Sequence, residues 1–329
     1  MKKILIDSEK NFYKANMHCH SIYSDGKQTV EEIKKAYLDK GYSVVAFTDH
    51  EHLIDNSHLN DENFLAITSC EIAIKQFDDK STLEKLDMKV CHLNFYSMDE
   101  HNTKTPCYNS RLDHFTQNSA HLINLPEKDY KRVYGHEGIS EIIRIANKEG
   151  FLVSYNHPNW SLEDARDYLG YRGIWAVEIF NYSCHNLGIY SYNTMCFDDF
   201  LRENQNVACI MGDDNHNEKS RFGGYVMINA EKLEYGEIMR ALKDHCFYAS
   251  QGPEIKSLYI EGNQAHIAVG EDARCVIMTT GTRQSQTCYI DENTDINDIV
   301  LNFREDHKYI RFDVVDEYGK RANTCAYFV

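Results

Sequence analysis

Two histidines separated by one residue, His18 and His20, could bind a metal ion together. They follow an apolar run that predicts a first β-strand, and side chains at positions i and i+2 of an extended segment point the same way. The carboxylate of Asp25 follows five residues after His20. Imidazole and carboxylate groups together suit zinc, manganese or iron. The pattern indicates a metal site, although a His-x-His triplet also occurs as an ordinary pair of surface histidines.

Short apolar runs recur along the chain, and each of seven runs leads into a histidine or an acidic residue. The runs have the length and composition of buried parallel strands. The residues after the later runs that could bind metal are His50, Glu71, His92, His157, Asp214 and His216, and Glu178 ends the sixth run. A core side chain hydrogen-bonded to the backbone is the alternative at any one position. Seven such coincidences instead indicate one shared site.

Helical patterns separate these runs. Thr29 and Glu32 have the spacing of a capping box, and the helix that they begin is predicted to end at Gly41. Further helices are predicted over residues 138–150, 190–204 and 233–245. Alternating strands and helices predict an α/β fold of βα units. In a βα barrel the functional side chains lie at the C-terminal ends of the strands, which is where the candidate ligands fall.

Two stretches depart from this alternation. Residues 100–137 are polar and are interpreted as an insertion, with a helix expected over 109–124, that either covers the site or is purely structural. After residue 250, short alternating strands separated by turn residues predict a small all-β, sandwich-like domain. The expected organisation is a barrel domain over residues 1–250 and a C-terminal β-domain over 251–329.

Net charge, the length of apolar runs and cysteine spacing indicate which classes of protein this chain is unlike. The 329 residues carry a formal net charge of −16, which repels polyanions and argues against binding of duplex nucleic acid. No apolar run approaches the ~20 residues of a membrane span, and the N-terminus lacks the apolar stretch of a signal peptide. None of the 11 cysteines is spaced as Cys-x-x-Cys, which favours reduced thiols. We therefore expect a cytoplasmic protein with no membrane partner.

The candidate ligands are more numerous than one metal ion requires. They are His18, His20, Asp25, His50, Glu71, His92, His157, Asp214 and His216. Zinc binds about four ligands and octahedral metals about six. Two or three divalent ions with a bridging carboxylate are therefore implied. Metal ions ~3.5–4 Å apart can hold a bridging hydroxide and stabilise both sides of an in-line displacement at phosphorus.

These motifs together resemble the PHP (polymerase and histidinol phosphatase) domain family over roughly residues 12–250. The resemblance rests on His18-x-His20 with Ser24-Asp25-Gly26, Thr48-Asp49-His50, Glu71, Asn156-His157-Pro158 and Asp214-x-His216. It implies a distorted (β/α)₇ barrel, TIM-like in plan, with a multinuclear site of Zn, Mn or Fe. The ligands it implies are His18, His20, Glu71 and Asp214 for one metal, Glu71, His92 and His157 for a second, and Asp25, His50 and His216 for a third.

The family pattern also leaves two points open. Residues 241–253, followed by β-strands, are similar to the subgroup that contains the CehA/McbA-type hydrolases. That subgroup includes carbamate ester hydrolases as well as phosphoesterases, so the resemblance leaves the substrate open. This chain has Asp213 where the family often has serine, and the sequence offers no role for it.

Three further residues have candidate roles. Arg221 follows the last ligand closely, and its guanidinium could bind a phosphate or form a surface salt bridge. Asp49 precedes His50 and could either orient that ring or cap the next helix. Glu178 could support a ligand from the second coordination sphere or contact the substrate.

The resemblance and the ligand set favour a metal-dependent phosphoesterase acting on a small phosphorylated metabolite or nucleotide by attack of metal-bound hydroxide. Hydrolysis of a carbamate or other carboxyl ester at the same site is one alternative. A non-catalytic, metal-bound binding module is another, although no ligand position is missing. An exonuclease is disfavoured by the acidic charge and the absence of a basic stripe. The oligomeric state is left open.

Overall fold

Strands dominate the computed structural model, which describes residues 2–77, 87–112, 116–123 and 128–329. The first ten strands are β1 (Lys2–Ile6), β2 (Asn11–Asn16), β3 (Val44–Phe47), β4 (Leu65–Lys75), β5 (Val90–Ser97), β6 (Phe151–Tyr155), β7 (Ala176–Asn181), β8 (Ala208–Gly212), β9 (Tyr225–Ala230) and β10 (Phe247–Ser250). The C-terminal strands are β11 (Ile255–Glu261), β12 (Gln264–Val269), β13 (Ala273–Thr280), β14 (Gln286–Tyr289), β15 (Ile299–Asn302), β16 (Tyr309–Asp316), β17 (Arg321–Thr324) and β18 (Tyr327–Phe328). The helices are α1 (Val30–Leu38), α2 (His136–Lys148), α3 (Ala165–Tyr168), α4 (Tyr182–Asn186), α5 (Thr194–Arg202) and α6 (Tyr235–Lys243).

Most strands belong to one large mixed sheet. Its order is β14-β13-β16-β17-β10-β9-β2-β3-β4-β5-β6-β7-β8, with β18 on β16. A separate antiparallel sheet has the order β1-β11-β12-β15. The predicted α/β class with an additional antiparallel β region is confirmed at this level.

A closed barrel is not seen among the described strands, because the path of the large sheet ends at β8. The segments that follow β2 and β8 nevertheless meet. Asp214 donates its backbone N–H to the His18 carbonyl at 2.9 Å, and His20 donates to the Asn215 carbonyl at 3.0 Å. These two hydrogen bonds bring together the two loops that carry five of the nine candidate ligands.

The direction of β5 differs from the prediction. Pairing is parallel for β2–β3, β3–β4, β6–β7 and β7–β8, but β5 is antiparallel to both β4 and β6. His92 is therefore the third residue of its strand and does not follow the strand's end. An antiparallel strand begins at the edge where its parallel neighbours end. His92 thus lies at the predicted edge of the sheet, but near the start of its strand and not after its end.

Helix α1 forms as its sequence indicates. The Glu32 backbone N–H donates to Thr29 Oγ1 at 3.2 Å, and the Thr29 N–H donates to Glu32 Oε2 at 2.9 Å, which completes the capping box. Three residues of its apolar stripe, Val30, Ile33 and Tyr37, are buried. The helix packs its apolar face against the sheet and places the end of β3 beside the end of β2.

A helix was expected over residues 109–124 of the insertion, and the described residues of this stretch are not helical. The described residues 109–112 and 116–123 form turns, and residues 113–115 and 124 lie outside the described residues. The insertion is anchored by the buried Arg132, whose Nη1 donates to Glu51 Oε1 and to the Ala73 carbonyl, both at 2.9 Å. Its Nε donates to the Cys107 carbonyl, also at 2.9 Å. The insertion is therefore fixed to β4 beside the candidate ligands.

The C-terminal strands are joined to the rest of the chain along hydrogen-bonded edges. Strand β17 pairs with β10, which continues the large sheet across the expected domain boundary at residue 250. Strand β1 pairs with β11, so the N-terminal residues belong to the antiparallel sheet. The division into domains 1–250 and 251–329 stays a prediction. No helix within the described ranges is long and apolar enough to span a membrane.

A buried ion pair connects these two regions. Arg311 of β16 donates from Nε to Asp198 Oδ1 and from Nη2 to Asp198 Oδ2, each at 2.8 Å, and Asp198 lies in α5. Both side chains are buried. A bidentate pair of this kind fixes distance and orientation together. The pair therefore sets how α5 meets the C-terminal strands.

Replacing Asp198 with asparagine should lower the free energy of unfolding by about 2–3 kcal/mol, because the buried Arg311 guanidinium loses its bidentate carboxylate and keeps one carboxylate contact, to Asp313. Urea denaturation followed by circular dichroism measures this change. Asp39→Asn is the matched control, since it removes the carboxylate of the exposed Lys35–Asp39 pair and should change the stability by less than ~1 kcal/mol. Equal effects of the two substitutions would contradict the role of the buried pair.

Candidate metal centre

The predicted ligands all lie at one edge of the large sheet. His18 and His20 follow β2, His50 follows β3, His157 follows β6, and Asp214 and His216 follow β8. Asp25 lies in the loop after β2. Glu71 is within β4 and His92 is near the start of β5. Chain segments up to almost 200 residues apart are thus brought to one place.

Glu71 is at the centre of this arrangement. Its carboxylate is buried, and five imidazoles surround it. Oε1 lies 3.3 Å from His18 Nε2, 3.1 Å from His92 Nδ1 and 3.2 Å from His157 Nε2, and Oε2 lies 3.5 Å from His20 Nε2 and 3.3 Å from His50 Nδ1. Asn156 Nδ2 also donates to Oε1 at 2.9 Å. A carboxylate with different histidines on its two oxygens can bridge two metal ions.

Within the described part of the chain, three sets of side chains bring their ligand atoms within 4.8 Å of one another. The sets are His20, Asp25, His50 and His216; His18, Glu71 and His157; and His18, His20 and Asp214. The set with Asp25 contains the three ligands that the resemblance implies for the third metal, together with His20. His18 joins His157 at Glu71, whereas the resemblance divides them between two metals. His92 reaches Glu71 but belongs to none of the three sets.

Several buried atoms of this cluster lack a hydrogen-bond partner. They are His18 Nε2, both ring nitrogens of His20, and Asp214 Oδ1. Asp214 Oδ1 lies 3.3 Å from His18 Nε2 and 3.1 Å from His20 Nε2, yet neither contact has hydrogen-bond geometry. Buried polar groups without partners are costly, and a cation between them would remove that cost. The residues therefore fit divalent metal ions.

The carboxylates are in their metal-binding protonation state. Burial acts to raise the pKa of Glu71, but His92 and His18 lower it well below its usual range. Burial likewise opposes ionisation of Asp214, and His18 and His20 again hold its pKa well below the ordinary value. Ionised carboxylates are the form that binds a cation. Both acids are thus charged at neutral pH.

Glu178 holds the His18 ring from behind. Its Oε1 lies 2.9 Å from His18 Nδ1, which turns Nε2 towards Glu71 and Asp214. Its Oε2 accepts from the His157 backbone N–H at 3.1 Å and from Asn181 Nδ2 at 3.0 Å. A carboxylate on the remote nitrogen of a ligand histidine fixes the ring and its tautomer. The geometry supports the predicted supporting role of Glu178.

The hydrogen bonds of Asp49 do not correspond to either of its predicted roles, which were to orient His50 or to cap a helix. It accepts from the backbone N–H of Ser21 at 2.8 Å and from the hydroxyls of Ser21 and Ser24, each at 2.7 Å. It therefore holds the loop that carries Asp25. Among the described residues, these hydrogen bonds of the Asp49 carboxylate go to Ser21 and Ser24, and neither to the His50 ring nor to the first turn of a helix.

Asp213 has a structural role that the sequence did not reveal. It accepts from the Tyr37 hydroxyl at 2.7 Å and from the backbone N–H groups of Phe222 and Gly223 at 2.7 and 2.9 Å. Burial raises its pKa to about 6, although these donors oppose the shift. Asp213 thus binds the segment after the last ligand to α1.

A cavity of about 720 Å³ lies beside the ligands. Asp25, His50, Glu71, His92, His157, Asp214 and His216 form one part of its lining. Most of the remainder is apolar, and includes Met88, Leu112, Leu162 and Ile189, with Trp160 and Lys75. The combination of a polar, metal-binding wall and an apolar remainder is that of a small-molecule site.

Some residues lie elsewhere in the structure than their sequence context indicates. Arg221 is not part of the described cavity lining; its guanidinium lies over the Phe222 ring, 5.2 Å from the centroid. His52, which has no role in the sequence analysis, is buried. The sequence analysis did not select Lys75 or Trp160. Lys75 could have been found, because it is four residues after Glu71 and so shares a strand face with it.

Comparison with known proteins places these observations in a family. A sequence model of the PHP domain matches residues 16–185. Comparison with curated proteins gives no match. A two-domain protein from Bacteroides vulgatus, described as containing a predicted PHP-like metal-dependent phosphoesterase, is similar in structure with a TM-score of 0.47 and 14% identity over 98% of this chain and 96% of its own.

Two other solved structures are similar over part of the chain. A lesion-specific endonuclease from Pyrococcus furiosus has a TM-score of 0.43 and 17% identity, over 71% of this chain and 56% of its own. An amidohydrolase from Chromobacterium violaceum has a TM-score of 0.37 and 11% identity, over 62% of this chain and 87% of its own.

Glu178→Gln should weaken divalent metal binding by about 10- to 100-fold, because the neutral amide holds the His18 ring less firmly. Competition with a chromophoric chelator measures the affinity, and a thermal melt of metal-free protein measures any general loss of stability. Glu163→Gln is the matched control, since Glu163 is also buried but contacts tyrosine hydroxyls and no ligand side chain. A Glu178→Gln protein with unchanged metal affinity would overturn this role.

Proposed function

This chain belongs to the PHP domain family and is a metal-dependent hydrolase, and we propose that it hydrolyses phosphate esters of small molecules, either a phosphorylated metabolite or a nucleotide. The observation that carries this proposal is the convergence of imidazole and carboxylate atoms on Glu71 at one side of a cavity of about 720 Å³. A cavity of this size accepts a small molecule.

We propose two or three divalent ions of zinc, manganese or iron as cofactors. His18, His20, Glu71 and Asp214 would hold one, Glu71, His92 and His157 a second, and Asp25, His50 and His216 a third. When bound, such ions supply a water that is ionised near neutral pH and neutralise charge on phosphate oxygens. The ligand set needs no separate protein base for this chemistry.

The protein's own groups have defined tasks in this proposal. Glu178 orients His18, and the Asn156 amide orients the Glu71 carboxylate through its hydrogen bond to Oε1. The apolar part of the cavity would exclude water around the organic part of the ester. The described lining of the cavity contains no arginine, so the metal ions would neutralise the charge of the phosphate.

Hydrolysis of a carbamate or other carboxyl ester is the second candidate. The apolar lining favours it, because Met88, Leu112 and Leu162 suit the uncharged leaving group of an aryl carbamate. Membership of the CehA/McbA-type subgroup, expected from residues 241–253, stays a prediction.

Other parts of the proposal concern the whole chain. We propose that β2–β8 form a distorted, incomplete (β/α)₇ barrel, supported by the hydrogen bonds between the segments that follow β2 and β8. The C-terminal sandwich-like domain, a cytoplasmic location and the lack of a duplex nucleic-acid partner stay predictions from the sequence. The net charge of −16 supports the last of these.

Metal-stripped protein reloaded with Mn, Fe or Zn should release phosphate from at least one member of a panel of phosphomonoesters and phosphodiesters. Asp214→Ala should lose metal binding and turnover together, with kcat/KM lower by more than ~100-fold, because the substitution removes a buried ligand oxygen. Phosphate release and metal content are measured on the same samples. An aryl carbamate is included in the panel.

His58→Ala is the matched control, since His58 is exposed and its ring lies 3.7 Å from Glu31 and outside the metal-binding sets. It should retain both metal and turnover. Turnover retained by Asp214→Ala would contradict the proposed site. Turnover of the carbamate with no phosphate release would favour the second candidate.

A further inference from the structure

Strands β4 and β5 form a wall of the cavity that extends away from the metal-binding residues. Alternate residues of a strand lie on the same face. Glu71, Ala73 and Lys75 accordingly all line the cavity, while Ile72 and Ile74 between them are buried in the core. On β5, Val90 and His92 line it in the same way.

The pairing register fixes where Lys75 lies along this wall. Ala73 is opposite His92, and Lys75 is opposite Val90. Four residues of an extended strand span about 14 Å, so the backbone of Lys75 lies that far from that of Glu71. The ammonium group therefore belongs to the end of the cavity away from the ligands.

Lys75 is a half-buried cation, and it forms no ion pair with any of the described residues. Burial lowers its pKa, and the carboxylate that opposes this shift, Glu51, is already paired with Arg132 at 2.9 Å. A partly desolvated ammonium gains from an anion brought by a ligand.

Trp160 and several apolar side chains of the lining suit a flat or apolar group. The Trp160 ring lies 5.0 Å from the His92 ring and 5.1 Å from the His157 ring, centroid to centroid, yet 40% of this tryptophan is exposed. It is therefore held beside two ligands with part of its surface free. Met88, Leu112 and Leu162 complete the apolar lining.

We propose that the substrate is a phosphate ester whose organic part is flat or apolar and carries a second anionic group, with Trp160 packing against the organic part and Lys75 pairing with the second anion. This inference rests on the proposed function, since it takes the phosphate to lie at the metal site. Lys75 is then a specificity-determining residue for the distal part of the substrate.

The test compares two pairs of non-hydrolysable ligands with the metal-loaded full chain. Benzylphosphonate is compared with 4-carboxybenzylphosphonate, and a biphenyl pair covers the longer separation between the two anions. Titration calorimetry gives the ratio of dissociation constants within each pair. Wild-type protein should favour the carboxylated member of at least one pair by about tenfold, and Lys75→Met should remove that preference.

Lys148→Met is the matched control, because Lys148 is exposed at the C-terminal end of α2, which leads into the start of β6, opposite the end that carries His157. It should keep the wild-type ratio. Trp160→Ala should weaken both members of a pair by a similar factor. Equal ratios in wild type and Lys75→Met, or no binding of any phosphonate, would overturn the inference.

Parallel assays with phenyl phosphate and 4-carboxyphenyl phosphate separate the two proposals. A ligand preference that Lys75→Met removes, with no phosphate released from either ester, would support the recognition by Lys75 and count against the phosphoesterase activity. Phosphate release with no preference for the carboxylated ligands would support the activity and overturn the role of Lys75.

Discussion

The structure depends on one buried carboxylate. Glu71 lies inside the protein with five imidazoles around its two oxygens, and the segments that carry these rings come from four different strands and their loops. An isolated buried carboxylate would cost several kcal/mol, so it is retained only where groups of opposite charge or metal ions surround it. Small displacements of β4, which carries Glu71, would change all of these contacts together.

Hydrogen-bonding residues around the candidate ligands hold them in fixed positions relative to the strands. Glu178 fixes the His18 ring, Asn156 fixes the Glu71 carboxylate, and Asp49 fixes the loop of Asp25 through two serines. Asp213 holds the segment after His216 against Tyr37 of α1. The ligands are thus supported from several sides by buried polar groups whose own partners are satisfied, which preserves the site in one arrangement.

The sequence predicted the place of the site better than its internal arrangement. Strand ends and residue types are local features, so the nine candidate ligands that the structure brings together and the capping box of α1 could be selected from residue spacing. The antiparallel direction of β5 could not, because periodicity does not report strand direction. The contacts of Asp49 and Asp213 depend on segments distant in sequence. The grouping of His18 with His157 at Glu71 likewise follows from tertiary packing alone.

The pairing between distant segments also orders the folding of the chain during synthesis. Asn16, beside the first ligands, hydrogen-bonds Asn215 across 199 positions, and β1 pairs with β11, which begins at Ile255. A growing chain folds from its N-terminal part, and contacts of long sequence separation form late. The histidines after β2 therefore leave the ribosome long before Asp214 and His216 exist. The full set of candidate metal-binding residues therefore exists only after most of the chain has been translated.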